Sequence, residues 1–186
     1  MTIREIIERC KRGDRLAFSF LVDRHSERAF SVAFRILNDT MEAEDVVQES
    51  FIAVWEKITD FDPERSFPAW LYRVVVNRAY DALRKKKRQK ETDLENIGEL
   101  IDSADNPGVI LDNRETGQLI RALTEELSPI QKLVFVLIEL EECTHDEAAE
   151  ITGMNKDAIK SNLNHARKNI AKRLESIYHE SRTGKI

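Results

Sequence analysis

Apolar positions recur along this chain with a helical period, and they come in blocks. From Leu16 to Leu37, the residues Leu21, Phe30, Ala33, Phe34 and Leu37 fall on one face of a 3.6-residue repeat, which predicts an amphipathic helix. Asn38-Asp39-Thr40 interrupts it. Thr40 is the expected N-cap of a second helix, and Glu42, Glu44 and Asp45 suit the positive end of its dipole. That helix is predicted to run to about Ile58, with Val47, Phe51, Val54 and Ile58 buried. A second, mostly polar stripe, Asp45, Gln48, Glu49, Ile52 and Glu56, lies beside it. Thr59–Ser66 reads as a loop punctuated by Pro63. Ser66 or Phe67 then opens a third long helix, with Pro68 tolerated in its first turn and Leu71, Val74, Val75 and Leu83 as core candidates.

The pattern lapses between Glu91 and about Glu115, where no period is sustained and Asn106-Pro107-Gly108 intervenes; a flexible linker with at most a short helical stretch is expected. It resumes at Gln118. Leu119, Ile120, Leu123 and Leu127 predict one helix. Ser128-Pro129 predicts the cap and first position of the next, which carries Leu133, Val134, Leu137, Ile138 and Leu140. Thr144-His145-Asp146-Glu147 is a capping-box pattern opening a short helix with Ala148, Ala149 and Ile151 inward. Gly153 supplies a turn, Met154 fills the space between helices, and Asn155 caps a last helix whose stripe is Ile159, Leu163, Ala166, Ile170 and Leu174. The expected fold is all-α, with two small helical domains, an N-terminal bundle and a C-terminal helix-turn-helix, joined by a flexible acidic connector. The boundaries are 1–90, 91–117 and 118–186.

Charge sharpens this division. The net charge of −5 argues against a polyanionic partner only until it is resolved by segment. Residues 1–90 carry 18 basic and 15 acidic side chains, residues 91–118 one and eight, and residues 153–186 eight and three. Two basic blocks flank an acidic connector, and local field decides whether nucleic acid is held. Of the 186 residues, 41% are hydrophobic and 34% charged, enough apolar surface for helical cores. The stretch MTIREIIERCKRGD acquires charge early, so neither a signal peptide nor a membrane span is expected, and the chain is expected in the cytoplasm. Cys10 and Cys143 are far apart and form no CxxC pair, so disulfide, zinc and redox roles are not expected; no metal or other cofactor is called for.

Three constellations carry candidate function. The last two helices, with the glycine turn between them, have the helix-turn-helix design, and the outer face of the second bears Lys156, Asp157, Lys160, Ser161, Asn164 and Lys168 with Arg167 alongside. That face suits the major groove, though an ordinary helical hairpin with a solvated face would look similar. On the third N-terminal helix Trp70, Arg73, Asn77, Asp81 and Arg84 share a face, with Tyr72 and Tyr80 to one side. Arg84 to Lys90 holds six bases in seven residues. Aromatics among Arg and Asn suit unstacked single-stranded bases; the plain alternative is that Trp70 is core and the basic run a solvated end. The stripe Asp45, Gln48, Glu49 and Ile52, with Trp55 nearby, suits a partner-protein surface. As a metal or acid–base site it lacks a histidine or third ligand, and no catalytic residue is expected.

Together these pieces resemble one family, the extracytoplasmic-function (ECF) RNA polymerase sigma factors. Met41 to Phe51 with Trp55 (MEAEDVVQESF…W) resembles the family's DAEDLVQETF…W signature. Phe67 to Arg84 resembles its F-x-x-W-L-Y-R helix with the following N, D and R, and Leu127 to Gln131 followed by Lys160-Ser161 to Ala166-Arg167 resembles its C-terminal domain. The resemblance spans nearly the whole chain, in order. It implies that Asp45, Gln48, Glu49, Ile52 and Trp55 bind the clamp helices of core RNA polymerase. It implies minus-ten strand capture by Asp60, Asp62, Arg65 and Ser66 of the loop and by Trp70, Arg73, Asn77, Arg84 and Lys85. It implies minus-thirty-five recognition by Lys156, Asp157, Lys160, Ser161, Asn164, His165, Arg167 and Lys168. The implied partners are core polymerase, promoter DNA and an anti-sigma factor covering both domains, with no membrane insertion and no small-molecule substrate. The implied activity is promoter recognition, DNA melting and transcription initiation, in the cytoplasm and at the nucleoid within holoenzyme. Gln131 stands where the family has a basic residue, and Asn162 and Asn164 stand where Arg is frequent. Weak stand-alone DNA affinity is therefore expected. A helix-turn-helix regulator that binds operators without polymerase is the alternative, and it leaves the Asp45–Trp55 and Trp70–Arg84 faces unused.

Overall fold

The computed structural model describes residues 2–96 and 114–182. The chain divides into two compact units, Met1–Gln89 with Glu150–Gly153 and Lys90–Ala149 with Met154–Ile186. Among the described residues there are eight α-helices and no strand.

The N-terminal unit begins with a helix, α1 (Ile3–Lys11), that the periodicity reading passed over. Thr2 and Glu5 form a reciprocal capping box, and Ile6, Ile7 and Cys10 are buried against the next helix. Gly13 (φ +85°) makes the turn, and Asp14 caps α2 (Arg15–Leu37) through the Ala17 amide. Arg9 pairs with Asp14 at 2.7 Å across that corner. At the far end of α2, Asn38 takes the left-handed conformation (φ 56°) and closes the helix with its amide on Phe34. Asn38 being used this way, the N-cap of α3 (Thr40–Lys57) is Asp39, not Thr40, with its carboxylate accepting from the Glu42 amide at 3.1 Å.

α3 packs along α2, with Phe18 edge-on to Phe51 and 5.0 Å from Trp55. Its buried stripe is Ala43, Val46, Ser50, Phe51 and Val54, continued by Ile58 in a 3-10 turn (Ile58–Asp60); Val47, expected in that stripe, is only half-buried. Phe30 and Phe34 are also half-buried, stacked on one another. Ser66 caps α4 (Phe67–Asn96), whose core residues include Phe67, Leu71, Val75, Val76 and Leu83, with Val74 at the margin. The connector expected over 91–117 lies outside the described residues from 97 to 113; its edges are helical, because α4 continues to Asn96 and α5 begins at Arg114.

In the C-terminal unit, α5 (Arg114–Glu125) leads to Ser128, which forms a capping box with Gln131 at the start of α6 (Pro129–Phe135). Gln131 also accepts from Asn169 at 3.2 Å, so the residue that departs from the family's basic pattern joins two helices. A π turn (Val136–Leu140) widens the end of α6, closed by the Glu141 amide on Val136 and the Cys143 amide on Leu137. Thr144 and Glu147 cap α7 (His145–Thr152) reciprocally. Gly153 turns the chain at φ +74°, and Asn155 caps α8 (Lys156–Arg182) by accepting from the Ala158 amide at 2.8 Å. The α8 stripe is buried at Ile159, Leu163 and Ala166, half-buried at Ile170 and exposed at Leu174, so α8 outruns its own core.

Candidate partner-protein and nucleic-acid interfaces

The polar stripe of α3 stands clear of the core because Ala43, Val46, Ser50 and Val54 take the inward positions. Asp45, Gln48 and Glu49 are exposed, Ile52 is 52% exposed, and Trp55 is half-buried against Phe18. A groove of about 540 Å³ runs between α3 and α4. Its α3 wall carries Glu42, Asp45 and Glu49, and its α4 wall Arg78, Lys85 and Lys86. Arg78 reaches Glu49 at 3.2 Å, and Lys86 reaches Glu42 at 3.1 Å and Asp39 at 3.5 Å. Asp45 lies between these bridges and has no ion-pair partner among the described residues. The bridged acids link the two helices, while Asp45, Gln48 and Ile52 present an acid, an amide and an aliphatic surface to the outside. Arg78 and Lys86 were not among the residues singled out from sequence; the pairing of acids on one helix with bases on the next becomes visible only when the helices are side by side.

The Asp39 carboxyl is held below the ordinary carboxylate range, first by the Glu42 amide and then by Lys86. This ties the basic run of α4 to the start of α3.

The loop before α4 is ordered by its own side chains. Asp62 accepts from the Glu64 amide at 3.0 Å, Arg65 lies 3.7 Å from Asp62, and Arg4 of α1 pairs with Glu64 at 2.8 Å. Asp60 and Arg65 are exposed, as is Ser66, whose hydroxyl accepts from the Ala69 amide. Along α4, Arg73, Asn77, Asp81, Arg84 and Lys85 form an exposed polar row, with the Arg84 guanidinium over the Tyr80 ring. Two aromatics do not join that row as free platforms. Trp70 is half-buried, stacked on Phe61 at 4.7 Å and edge-on to Phe67. Tyr72 is buried, its hydroxyl 3.3 Å from Nδ1 of buried His25. The helical register that places Arg73 and Asn77 outward turns Tyr72 inward.

On α8 the expected outer face is outside throughout. Lys156, Asp157, Lys160, Ser161, Asn164, His165, Arg167 and Lys168 are all exposed. Asn162 instead donates to the Ala158 carbonyl at 2.8 Å and serves its own helix. Lys156 pairs with Asp146 of α7, and Arg167 places Nε and Nη2 at 2.9 and 2.5 Å from Glu139. Lys160 and Lys168 have no ion-pair partner among the described residues. Asn155 sets the N-terminus of α8 and Gly153 its angle to α7, which is how a helix can be presented to a major groove. Among the described residues no group of His, Cys, Asp and Glu side chains is arranged to hold a metal ion. No helix there is long and apolar enough to cross a membrane.

Residues 21–89 match Sigma-70 region 2 and residues 117–170 match Sigma-70, region 4. The chain is 29% identical over 185 residues to the ECF RNA polymerase sigma factor SigW of Bacillus subtilis, covering 95% of this chain and 99% of that protein. It is 31% identical over 174 residues to the RNA polymerase sigma factor CnrH of Cupriavidus metallidurans, covering 88% and 90%. The structure of CnrH in complex with the cytosolic domain of CnrY is similar at a TM-score of 0.68 and 25% identity, over 93% of this chain and 97% of that one. The sigma factor RpoE in its complex with the anti-sigma factor NepR from Bartonella quintana shares the fold, with a TM-score of 0.63 and 24% identity over 85% and 96%.

Proposed function

The chain belongs to the ECF RNA polymerase sigma factors, and we propose that its N-terminal unit holds core polymerase and the opened minus-ten strand while its C-terminal helix-turn-helix reads the minus-thirty-five element. The observation that carries this reading is the match of both units, in order, to the two sigma regions, together with an exposed α3 stripe that a DNA-binding regulator acting alone would not need. Residues 1–90 form the polymerase and minus-ten domain, 91–117 the acidic connector, and 118–186 the minus-thirty-five domain. Asp45, Gln48, Glu49, Ile52 and Trp55 face the polymerase. Asp60, Asp62, Arg65 and Ser66 with Arg73, Asn77, Arg84 and Lys85 meet the single strand, and Trp70 acts chiefly by fixing the loop through Phe61. Lys156, Asp157, Lys160, Ser161, Asn164, His165, Arg167 and Lys168 meet the duplex.

The protein works by binding and contributes no catalytic group of its own; the polymerase supplies the chemistry. It acts in the cytoplasm, at the nucleoid when in holoenzyme. An anti-sigma factor is the partner proposed to restrain it, by analogy with the complexes of the similar sigma factors. Operator binding without polymerase is not favoured.

The test is co-elution of the purified chain with bacterial core RNA polymerase on a sizing column. A stable complex, lost when Asp45→Ala and Gln48→Ala are combined, is the expected result. No complex at low or moderate salt would overturn the reading.

A further inference from the structure

The duplex-facing helix carries cations that the fold has already partly neutralised. Lys156, at the first position of α8, is paired with Asp146 in the first turn of α7. Arg167, three turns further along, directs two of its N–H groups at one oxygen of Glu139. Both acids stand on backbone that is fixed independently of α8. Asp146 lies within the Thr144–Glu147 capping box, in the first turn of α7, where the helix dipole favours its charge. Glu139 stands in the π turn closed by the Glu141 and Cys143 amides. Lys160 and Lys168, on the same outer face, have no such acid among the described residues.

A cation strengthens DNA binding by neutralising a phosphate and releasing its counterions. A cation drawn from a carboxylate to a phosphate leaves that carboxylate uncompensated beside a polyanion, and much of the gain is returned. We propose that Asp146 and Glu139 are built-in competitors for phosphate that hold Lys156 and Arg167 and so limit how tightly the helix-turn-helix binds duplex. This rests on the reading of α8 as a DNA-binding helix. It gives a structural cause for weak stand-alone affinity that the scarcity of arginine on α8 does not supply. It also makes the two acids determinants of how far promoter binding depends on polymerase.

The experiment is the anisotropy of a labelled 30-base-pair duplex of mixed sequence, titrated with the full-length chain between 50 and 200 mM KCl. Asp146→Asn combined with Glu139→Gln removes the competing charges with little change of shape. It should tighten binding about three- to tenfold at 100 mM salt. It should also steepen the salt dependence of log affinity by about two phosphates' worth. The gain must vanish when Lys156→Ala and Arg167→Ala are added. It must also be absent from Glu150→Gln, which removes an exposed α7 acid that has no ion pair among the described residues. Unchanged affinity, the same gain without Lys156 and Arg167, or an equal gain from Glu150→Gln would each overturn the proposal. Each single substitution, checked by thermal melting, separates a charge effect from loss of fold. If neither the wild-type chain nor any variant binds the duplex at 50 mM salt, the DNA reading of α8 fails together with the proposal. A wild-type chain that binds while the variants do not differ from it sinks the proposal alone.

Discussion

His25 is a titratable side chain at odds with its surroundings. It is 7% exposed, its Nδ1 meets the Tyr72 hydroxyl, and its Nε2 has no hydrogen-bond partner. Phe67 and Tyr72 of α4 close over it, and Arg24 and Arg28 flank it on α2. Burial first, and then those two guanidinium groups, push its pKa below the ordinary 6.5. The folded unit therefore holds His25 neutral, and the unfolded chain binds the extra proton. Stability is full above the unfolded value and falls as pH drops below about 6.5. Asp14 and Asp39, held below their ordinary 3.8, lose their contributions only in more acid solution, so the window from pH 7.5 to 5.5 isolates the histidine. The urea midpoint of the N-terminal unit should fall across that window in the wild type and stay flat in His25→Gln. A falling midpoint in both would assign the acid sensitivity elsewhere. Asp39 offers a second check. Removing its cap on α3 and its bridge to Lys86 together, by Asp39→Ala, should cost about 1–2 kcal/mol at neutral pH, read from the same urea transition.

Helices and their ends decide how the functional rows are aimed. Gly153 is the sharpest case, because α8 leaves α7 through a backbone at φ +74°. Gly153→Ala, which also brings a Cβ to 3.3 Å from the Arg73 guanidinium, should cost about 1 kcal/mol of stability and weaken duplex binding, as melting and anisotropy together would reveal. Along α8 itself, Lys160→Ala and Lys168→Ala should each reduce the salt slope of duplex binding by about one. Much of this level was legible in the sequence. Ser128-Pro129, the Thr144–Glu147 box, Gly153 and Asn155 all sit where their chemistry put them, since a cap declares itself by residue type and spacing. Adjacent capping residues were not separable, however. Asp39 and Thr40 are both good N-caps, and the choice between them fell to Asn38, whose left-handed turn ends α2. Helix α1 was legible in its Thr2–Glu5 box, but a nine-residue helix offers too few turns for periodicity alone. The π turn was not legible, because it obeys no period of the side chains. Nor was the inward turn of Tyr72, a residue whose amphipathic ring suits either core or surface.

For the molecule as a whole, the proposed function rests on several surfaces acting together. The exposed polar row of α4, proposed to meet the minus-ten strand, and the outer face of α8, proposed to meet the minus-thirty-five element, lie in different units; on α8, Lys156 and Arg167 are paired with the chain's own acids, and beside the α4 row Arg78 and Lys86 are. On the proposed reading each face alone binds weakly. Polymerase can supply what they lack by holding both on one scaffold, which makes the second contact intramolecular and raises the overall affinity by roughly 10²–10⁴ without any new contact. Two variants separate the contributions. Asp45→Ala with Gln48→Ala should abolish co-elution with core and promoter-directed transcription, yet leave the free chain's duplex affinity unchanged. Lys160→Ala should keep core co-elution and weaken duplex binding with and without core. Adding core to the wild-type chain should tighten promoter binding about 100-fold or more, and the Asp45→Ala, Gln48→Ala chain should show none of that gain. If free and core-bound chain held promoter duplex equally well, polymerase would contribute nothing to DNA capture. The exposed α3 stripe would then have to serve some other partner.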